Sequence, residues 1–359
     1  MNIQRPAERA LLVQAVVGRR DAAEAEDSLR ELERLADTAG ARVVGCLTQR
    51  RERPDAAFFV GQGKTAEIQL ACRASAADVV IFDNELSPVQ VNNLDLSLGV
   101  KVIDRTELIM QIFARRARTA EAQVQIELAQ LQYLAARIPV SERQHRFTGG
   151  IGMRGPGESP FQLRRAPMAA RIVRLKKKLR EMQKHRARTR VRRPWPLVAL
   201  AGYTNAGKST LLNALTAAEA YVDDRLFATL DTRNRLLYLP SGRKVMLADT
   251  VGFIRHLPPG LVASFRSTLE EIRESDMLLI VADAAHAHVR EQIGVVYKTL
   301  EEMGAGAIPR LLVMNKADRI KDQAELARAF PGALFISARN KDGLAELKKT
   351  MAGMFPAAG

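Results

Sequence analysis

The chain of 359 residues is 47% hydrophobic and 26% charged, which excludes a largely disordered protein and gives room for about two domains. Its 55 lysines and arginines against 40 acidic residues leave a net charge of +15, so a polyanionic partner is expected, with nucleic acid ahead of an anionic membrane. Two cysteines exclude a disulfide framework and a four-cysteine zinc site, and the lack of an apolar run of about 18 residues or of a signal peptide predicts a cytoplasmic protein with no membrane span.

Residues 1–105 alternate short apolar runs with helical patterns, which predicts a small parallel α/β domain. The predicted strands are 10–17, 41–48, 79–83 and 100–103, and the predicted helices between them are 25–39, 65–74 and 88–98. The phrase Gly61–Lys64 (GQGK) could cradle a phosphate at the start of a helix, but it lacks the spacing of a nucleotide loop. An ordinary loop is therefore favoured here, and an ATP site is the alternative.

Residues 106–193 predict a long antiparallel helical hairpin. Apolar side chains repeat at threes and fours from Thr106 to Arg137 with no glycine or proline between them, which predicts one helix of roughly 48 Å. A second helix is expected to begin near Pro167. Two narrow apolar seams are expected to face each other. The first helix contributes Ile109, Phe113, Ala117, Ala120, Val124, Leu128, Leu131 and Ile138, and the second contributes Met168, Ile172, Leu175, Leu179 and Met182.

Positive charge and glycine are concentrated in this hairpin. Ser159–Arg193 holds fourteen lysines and arginines and one acid, Glu181, a net charge of +13. Such density repels itself unless an anion lies against it, so contact with a polyanion is favoured over a merely solvated helix face. Five glycines occur within Gly149–Glu158, at the expected tip. They allow the backbone to approach another surface closely, or they form a plain flexible loop.

Residues 194–359 carry a nucleotide-binding pattern. An apolar strand at 197–201 leads into Gly202–Ser209 (GYTNAGKS) and a helix at 210–215, which is the G-x-x-x-x-G-K-S phosphate loop between a strand and a helix. Backbone N–H groups would wrap the phosphates, Lys208 would pair with the β- and γ-phosphates, and Ser209 would bind Mg²⁺. The predicted contacts are Gly202, Asn205, Ala206, Gly207, Lys208, Ser209 and Thr210.

The phrase Asn315–Asp318 (NKAD), after an expected strand at 310–314, predicts that the base is guanine. Asp318 can accept hydrogen bonds from both the N1–H and the 2-amino group of guanine. Adenine lacks both donors and would leave the carboxylate unpaired in a closed site, which costs several kcal/mol. Lys316 is expected to pack over the phosphate loop, and Ser337-Ala338 to place a backbone N–H near guanine O6.

The phrase Asp249–Gly252 (DTVG), after a strand expected at 244–248, completes the predicted site. Asp249 would hold Mg²⁺ through water, and the Gly252 N–H would sense the γ-phosphate. A threonine that binds Mg²⁺ only when the γ-phosphate is present is expected between the phosphate loop and Asp249. Thr229 is preferred for this role, and Thr232 is the alternative.

The chain resembles the HflX family of ribosome-associated GTPases over nearly its whole length. The phrases that carry the resemblance are Gly149–Glu158 (GGIGMRGPGE), Gly202–Ser209, Phe227–Asp231 (FATLD) and Asp249–Leu257 (DTVGFIRHL). The resemblance implies an N-terminal α/β domain, a helical hairpin and a G domain, with expected bounds of 1–105, 106–193 and 194–359. The sequence departs from the family at Ser159–Arg165, beside the hairpin tip, and after Asp231, where the usual proline is absent.

The same resemblance implies a Mg²⁺-dependent GTPase that binds the large ribosomal subunit and its rRNA. The hairpin would reach toward the peptidyl-transferase region, and the protein would split stalled ribosomes under stress. A monomer is expected. The alternative function is a nucleotide-gated rRNA-binding module that acts in subunit assembly or silencing without splitting ribosomes.

The predicted site lacks the usual water-orienting glutamine. Ras-like GTPases carry a glutamine after Asp-x-x-Gly to orient the attacking water, whereas this chain has Phe253, whose ring cannot exchange a proton with water. Slow intrinsic hydrolysis is therefore expected, with the site completed by the ribosome or by another group. Asn205 is a candidate K⁺ ligand that would bring positive charge to the transition state, and the alternative is that it only braces the loop.

Overall fold

The computed structural model describes residues 7–18, 21–137, 160–189, 194–216, 226–227, 233–254, 271–320 and 322–355. The chain divides into two compact units, one of Met1–Arg115 and Gln123–Lys184 and the other of Arg116–Ala122 and His185–Gly359. The predicted hairpin tip and the predicted switch threonines lie outside the described residues. The division into three domains stays a prediction.

The first unit contains a four-stranded parallel sheet in the order β2-β1-β3-β4. Its strands are β1 Arg9–Val17, β2 Arg42–Arg51, β3 Val79–Phe82 and β4 Lys101–Asp104, and the helices between them are α1 Ala22–Thr38, α2 Gln62–Ser75 and α3 Pro88–Leu98. The predicted parallel α/β architecture is confirmed. Its central strand β1 is buried over nearly its full length, as expected where helices cover both faces of a sheet.

Charged side chains at the carboxyl ends of these strands are buried and neutralised. Arg105 forms ion pairs with Asp83 and Glu31, and Ser28 and Gln14 donate hydrogen bonds to the Asp83 carboxylate. Burial alone would raise the pKa of Asp83, but the Arg105 guanidinium and these hydrogen bonds bring it below its ordinary value. Arg105 is thus a neutralised part of the folded unit.

The prediction of one continuous helix from Thr106 to Arg137 is wrong. Two helices occupy this stretch, α4 Arg105–Arg116 and α5 Ala120–Arg137, with a break at 117–119. The Thr119 hydroxyl accepts a hydrogen bond from the Ala122 N–H at 3.2 Å, as an N-cap does, and a new helix therefore begins after it. The apolar spacing continues across the break, which is why periodicity alone did not reveal it.

The second hairpin helix begins earlier than predicted. Helix α6 spans Pro160–Thr189, so Pro160 rather than Pro167 is its first residue, and Pro167 lies inside it. A proline at the first helical position has no hydrogen bond to lose, whereas Pro167 leaves one bond of the helix unmade.

The predicted seam between the hairpin helices is confirmed where α5 packs on α6. Val124 and Leu128 of α5 form a buried cluster with Leu175 of α6, and the partly buried side chains against it are Leu131, Ile172, Leu179 and Met182. Ala120 is exposed instead, and Ile109 and Phe113 of α4 are buried but are not members of this cluster. Beside the seam, Arg171 of α6 donates two hydrogen bonds to the Glu127 carboxylate of α5, at 2.7 and 2.9 Å. A bidentate pair of this kind adds directional specificity to the packing.

The second unit is built on a six-stranded sheet in the order β10-β9-β8-β5-β7-β6, in which only β6 runs antiparallel to its neighbour. Its strands are β5 Leu197–Gly202, β6 Arg233–Tyr238, β7 Lys244–Asp249, β8 Met277–Asp283, β9 Arg310–Asn315 and β10 Leu334–Phe335. Within the described ranges, the helices with defined bounds are α7 Lys208–Thr216, α8 Val289–Glu302, α9 Ala324–Ala329 and α10 Leu344–Met354, with a 3-10 helix at Ala317–Arg319.

The strand order of this sheet brings the residues of the predicted site together at the carboxyl ends of its strands. After β5 the chain forms β6 and then β7, which lies beside β5. It next forms β8, which lies on the opposite side of β5. In such a sheet the loops after the central parallel strands meet outside their carboxyl ends, where α/β proteins bind ligands. Across the ranges that the structure describes, no helix combines the length with the apolar character that a bilayer crossing requires.

Candidate nucleotide site

The predicted phosphate loop joins β5 to α7 at this edge. Strand β5 ends at Gly202 and α7 begins at Lys208, so the loop approaches a helix start whose N–H groups lack helical partners. Gly207 has φ +93°, and a Cβ atom there would come within 2.2 Å of Asn315 Nδ2. Glycine is therefore required at this position both by the backbone conformation and by the close approach of a neighbouring side chain.

Lys208 is the buried cation of the site. Its Nζ donates hydrogen bonds to the carbonyl oxygens of Gly202 at 3.0 Å and Tyr203 at 2.9 Å. Burial lowers the pKa of Lys208 to about 8, although the nearby Asp249 carboxylate acts in the opposite direction. A phosphate group beside Nζ would favour the charged form further, so the site gains electrostatically from binding an anion.

Gly252 approaches the phosphate loop so closely that no side chain fits. A Cβ atom at Gly252 would lie 2.8 Å from Thr204 Cα and 2.9 Å from Lys208 Nζ. The predicted γ-phosphate sensor thus lies beside the predicted phosphate-binding lysine.

Ser209 and Asp249 form a pair of oxygen donors. The Ser209 hydroxyl donates to Asp249 Oδ2 at 2.6 Å, and Asp249 is fully buried at the end of β7, paired in register with Leu200 of β5. Hydroxyl and carboxylate oxygens are the ligands that Mg²⁺ prefers, so the donors present fit the predicted ion. Thr210 follows in the first turn of α7 and is half-buried.

The backbone of Phe253 is paired with the phosphate loop. Its N–H donates to the Gly202 carbonyl at 3.0 Å, and its own carbonyl accepts from the Thr204 N–H at 2.7 Å. The Phe253 side chain is 3% exposed. This residue therefore fastens the loop after β7 to the loop after β5, while its ring is kept in the protein interior.

Asn315 connects two loops of the predicted site. It ends β9 and is buried, its Nδ2 donates to the Ala206 carbonyl at 2.8 Å, and its Oδ1 accepts from the Ala338 N–H at 3.0 Å. The phosphate loop and the Ser337-Ala338 loop, which sequence analysis assigned to phosphate and guanine respectively, are thus held by one side chain.

Lys316 packs on the phosphate loop, as expected, and has a partner that the sequence did not reveal. Its Nζ donates to the Asn205 carbonyl at 2.8 Å and forms an ion pair with Asp283 Oδ2 at 2.6 Å. Asp283 is the last residue of β8. The available signal was an acid that ends a buried apolar strand, as Asp249 does at the end of β7.

Asp318 is exposed within the 3-10 helix after β9. A hydrogen bond with Ser337 is the largest of the effects that lower the pKa of the Asp318 carboxyl below its ordinary value. The carboxylate is therefore ionised at neutral pH, as an acceptor for two guanine donors must be. Of the predicted contacts, Thr229 and its alternative Thr232 lie outside the described residues. The others lie at or just after the carboxyl ends of β5, β7, β9 and β10, or in the first turn of α7.

Comparisons with known proteins agree with this architecture. Three family models match in succession: GTP-binding GTPase N-terminal over residues 26–114, GTP-binding GTPase Middle Region over 116–193 and 50S ribosome-binding GTPase over 197–316. A solved structure, the complex of SsGBP with GDP, matches 97% of this chain and 98% of its own with a TM-score of 0.55 and 25% identity.

Two relatives establish the family. GTPase HflX of Caldanaerobacter subterraneus subsp. tengcongensis is 47% identical over 96% of this chain and 80% of its own length. GTPase HflX of Escherichia coli is 45% identical over 89% of this chain and 77% of its own length. With this identity over most of both chains, and with the phosphate loop and the Asn315–Asp318 segment joined at one sheet edge, the chain belongs to the HflX family of GTPases.

Proposed function

We propose that this GTPase is a nucleotide-controlled factor that binds the large ribosomal subunit through its rRNA and separates or rescues stalled ribosomes. It acts in the cytoplasm as a monomer. The proposal is supported by the basic face of α6, and by the family model for a 50S ribosome-binding GTPase that matches residues 197–316.

The basic face of α6 is the observation that carries rRNA binding. Between Pro167 and Lys184 every lysine and arginine is exposed, and a single acid, Glu181, lies among them; the cations are Arg171, Arg174, Lys176, Lys177, Lys178, Arg180 and Lys184. The apolar side chains of the same helix pack in the seam with α5. A helix that buries an apolar stripe and presents cations on its exposed side suits the regularly spaced phosphates of a nucleic acid.

Guanine nucleotide would occupy the carboxyl edge of the second sheet. The loop that ends at Gly207 would surround the phosphates, Lys208 would pair with the β- and γ-phosphates, and Gly252 would meet the γ-phosphate through its N–H. Asp318 would read the base. The Ala338 N–H donates to Asn315 Oδ1 and the Ser337 N–H to the Asp342 carbonyl, so neither is assigned to guanine O6. The Asn315 contact with the Ala206 carbonyl and the close approach of Gly252 to Lys208 support these assignments.

Mg²⁺ would be held by Ser209 and Asp249, with Thr229 as the nucleotide-dependent ligand. The ion supplies positive charge to the β- and γ-phosphates when it is bound. The short Ser209–Asp249 contact supports this assignment, because it places two hard oxygen donors beside Lys208.

Hydrolysis would be slow without a partner. Phe253 is buried and fastened through its backbone, so the position that holds a water-orienting glutamine in Ras-like GTPases has no polar side chain here. Asn205 is exposed in the phosphate loop and would serve as a K⁺ ligand, which adds positive charge during hydrolysis. Ribosome binding would complete the site.

Sedimentation of intact ribosomes tests the function. The protein is mixed with ribosomes and GTP, a non-hydrolysable GTP analogue or GDP, and the mixture is separated on a sucrose gradient. Splitting into subunits with GTP or the analogue is the expected result. Co-migration with one free subunit and no splitting would instead favour the rRNA-binding module of assembly or silencing. Equal binding with every nucleotide would contradict nucleotide control.

A further inference from the structure

We propose that Asp283 is a positioning residue of the nucleotide site, which holds Lys316 against the phosphate loop and thereby sets how long a guanine nucleotide stays bound. The inference rests on the proposed guanine-nucleotide function. It extends that function to a residue on β8, outside every motif that the sequence identified.

The backbone around Asp283 fixes the direction of its carboxylate. Asp283 ends β8 in register with Asn315 of β9, so it stands one residue away from Lys316 across the sheet. Its Oδ1 accepts a hydrogen bond from the Ala285 N–H at 3.1 Å, and its backbone carbonyl accepts from the His286 N–H at 3.1 Å. The turn after β8 thus holds one carboxylate oxygen and leaves Oδ2 directed at Lys316.

The Lys316 side chain transmits this position to the phosphate loop. Its Nζ lies 2.6 Å from Asp283 Oδ2 and donates to the Asn205 carbonyl at 2.8 Å. The two charged side chains are only 18% and 17% exposed, so solvent screens their attraction less than it would on an open surface. A lysine has a flexible stem and a strongly hydrated head, and without its counter-charge it would tend to turn toward water.

The phosphate loop is held at two consecutive carbonyls. Asn315 binds the carbonyl of Ala206, and Lys316 binds the carbonyl of Asn205. Asp283 acts only through the second of these contacts. Its loss should therefore weaken nucleotide binding without abolishing it, by about tenfold, which is the usual effect of losing a hydrogen bond to a charged group. Discrimination between bases should not change, because that depends on Asp318.

The test measures release of a fluorescent GDP from the full-length chain in four variants: Asp283→Asn, Lys316→Met, the double variant and Glu325→Gln. Asp283→Asn keeps an oxygen that can accept from Ala285 but removes the charge. Glu325→Gln is the matched control, since it removes an acid from an exposed ion pair with Arg290 in the same unit. We expect release about tenfold faster in Asp283→Asn, no change in the control, and a double variant that releases GDP no faster than Lys316→Met alone.

Two further measurements separate positioning from general stability. The preference for GDP over IDP, which lacks the 2-amino group, should be the same in Asp283→Asn as in the unmodified chain. The midpoint of thermal unfolding of Asp283→Asn should stay close to that of the unmodified chain. Asp283→Glu keeps the charge and should restore slow release in part. Additive effects of Asp283→Asn and Lys316→Met, or release from Asp283→Asn at the unmodified rate, would overturn the inference. If the unmodified chain itself fails to bind GDP, the proposed function is wrong and this inference falls with it.

Discussion

The side-chain amide of Asn315 donates a hydrogen bond to the backbone carbonyl of Ala206, 109 residues earlier in the chain, at 2.8 Å. The same amide accepts from the Ala338 N–H at 3.0 Å. A single buried side chain therefore spaces the loop assigned to the phosphates from the loop assigned to the base. This spacing has to match the length of a nucleotide.

Replacing Asn315 with alanine should loosen both loops. The change leaves the Ala206 carbonyl and the Ala338 N–H without this partner in a buried place, which costs about 2 kcal/mol for such groups. We expect a lower free energy of unfolding in urea and weaker binding of fluorescent GDP by at least tenfold. Asn234→Ala, at an exposed position of β6, is the control and should change neither quantity. Unaltered GDP binding in Asn315→Ala would show that the bridge has no part in the site.

Lys208 should make the stability of the nucleotide-free protein depend on pH. Its pKa is about 8 in the folded state against an ordinary 10.5, so the folded chain loses its proton more readily than the unfolded chain. The contribution of Lys208 to the free energy of unfolding therefore increases as pH rises from about 8 toward 10.5. Urea unfolding of the unmodified chain should gain stability over this range relative to Lys208→Met. Parallel curves for the two proteins would contradict the lowered pKa.

Neutralising part of the basic face of α6 should weaken binding to the large ribosomal subunit. The triple change Lys176→Gln, Lys177→Gln and Lys178→Gln removes three exposed cations. In a plot of log affinity against log salt concentration, the slope should become shallower by about 2 to 3, because each phosphate contact contributes somewhat less than one unit.

A matched triple change controls for net charge. Lys298, Lys341 and Lys349 are exposed lysines of the second unit, and replacing all three with glutamine removes the same charge elsewhere. Co-sedimentation with isolated large subunits at several salt concentrations compares the two triple variants. Equal loss of affinity in both would point to net charge rather than to the α6 face.

Potassium should accelerate GTP hydrolysis if Asn205 binds the ion. Rates measured in KCl and in NaCl at equal ionic strength should differ for the unmodified chain. Asn205→Gly is the informative variant, because φ is +61° at this position and glycine removes the side chain without straining the backbone. The variant should lose the difference between the salts. Equal rates in the two salts for the unmodified chain would remove K⁺ from the mechanism.

Local pattern was sufficient for the strands of the first sheet, for β5, β7 and β9 of the second, for the loop between β5 and α7, and for the seam of α5 and α6. Strands β6 and β8 were not predicted. These features depend on apolar periodicity and on residue types at short spacing, which the sequence displays directly. The break at 117–119 was missed because a threonine cap interrupts α4 and α5 without disturbing the apolar spacing.

The contacts that organise the site were decided only by tertiary structure. Asp283 meets Lys316, and Asn315 meets Ala206 and Ala338, because β8, β9 and β5 lie in one sheet and end at the same edge. The sequence determined which chemical groups are present and that Asp249 and Asn315 stand at strand ends, whereas the strand that ends at Asp283 was not predicted. It could not determine which of them touch, since a hydrogen bond requires positions within a fraction of an ångström, and strand order and register establish those positions.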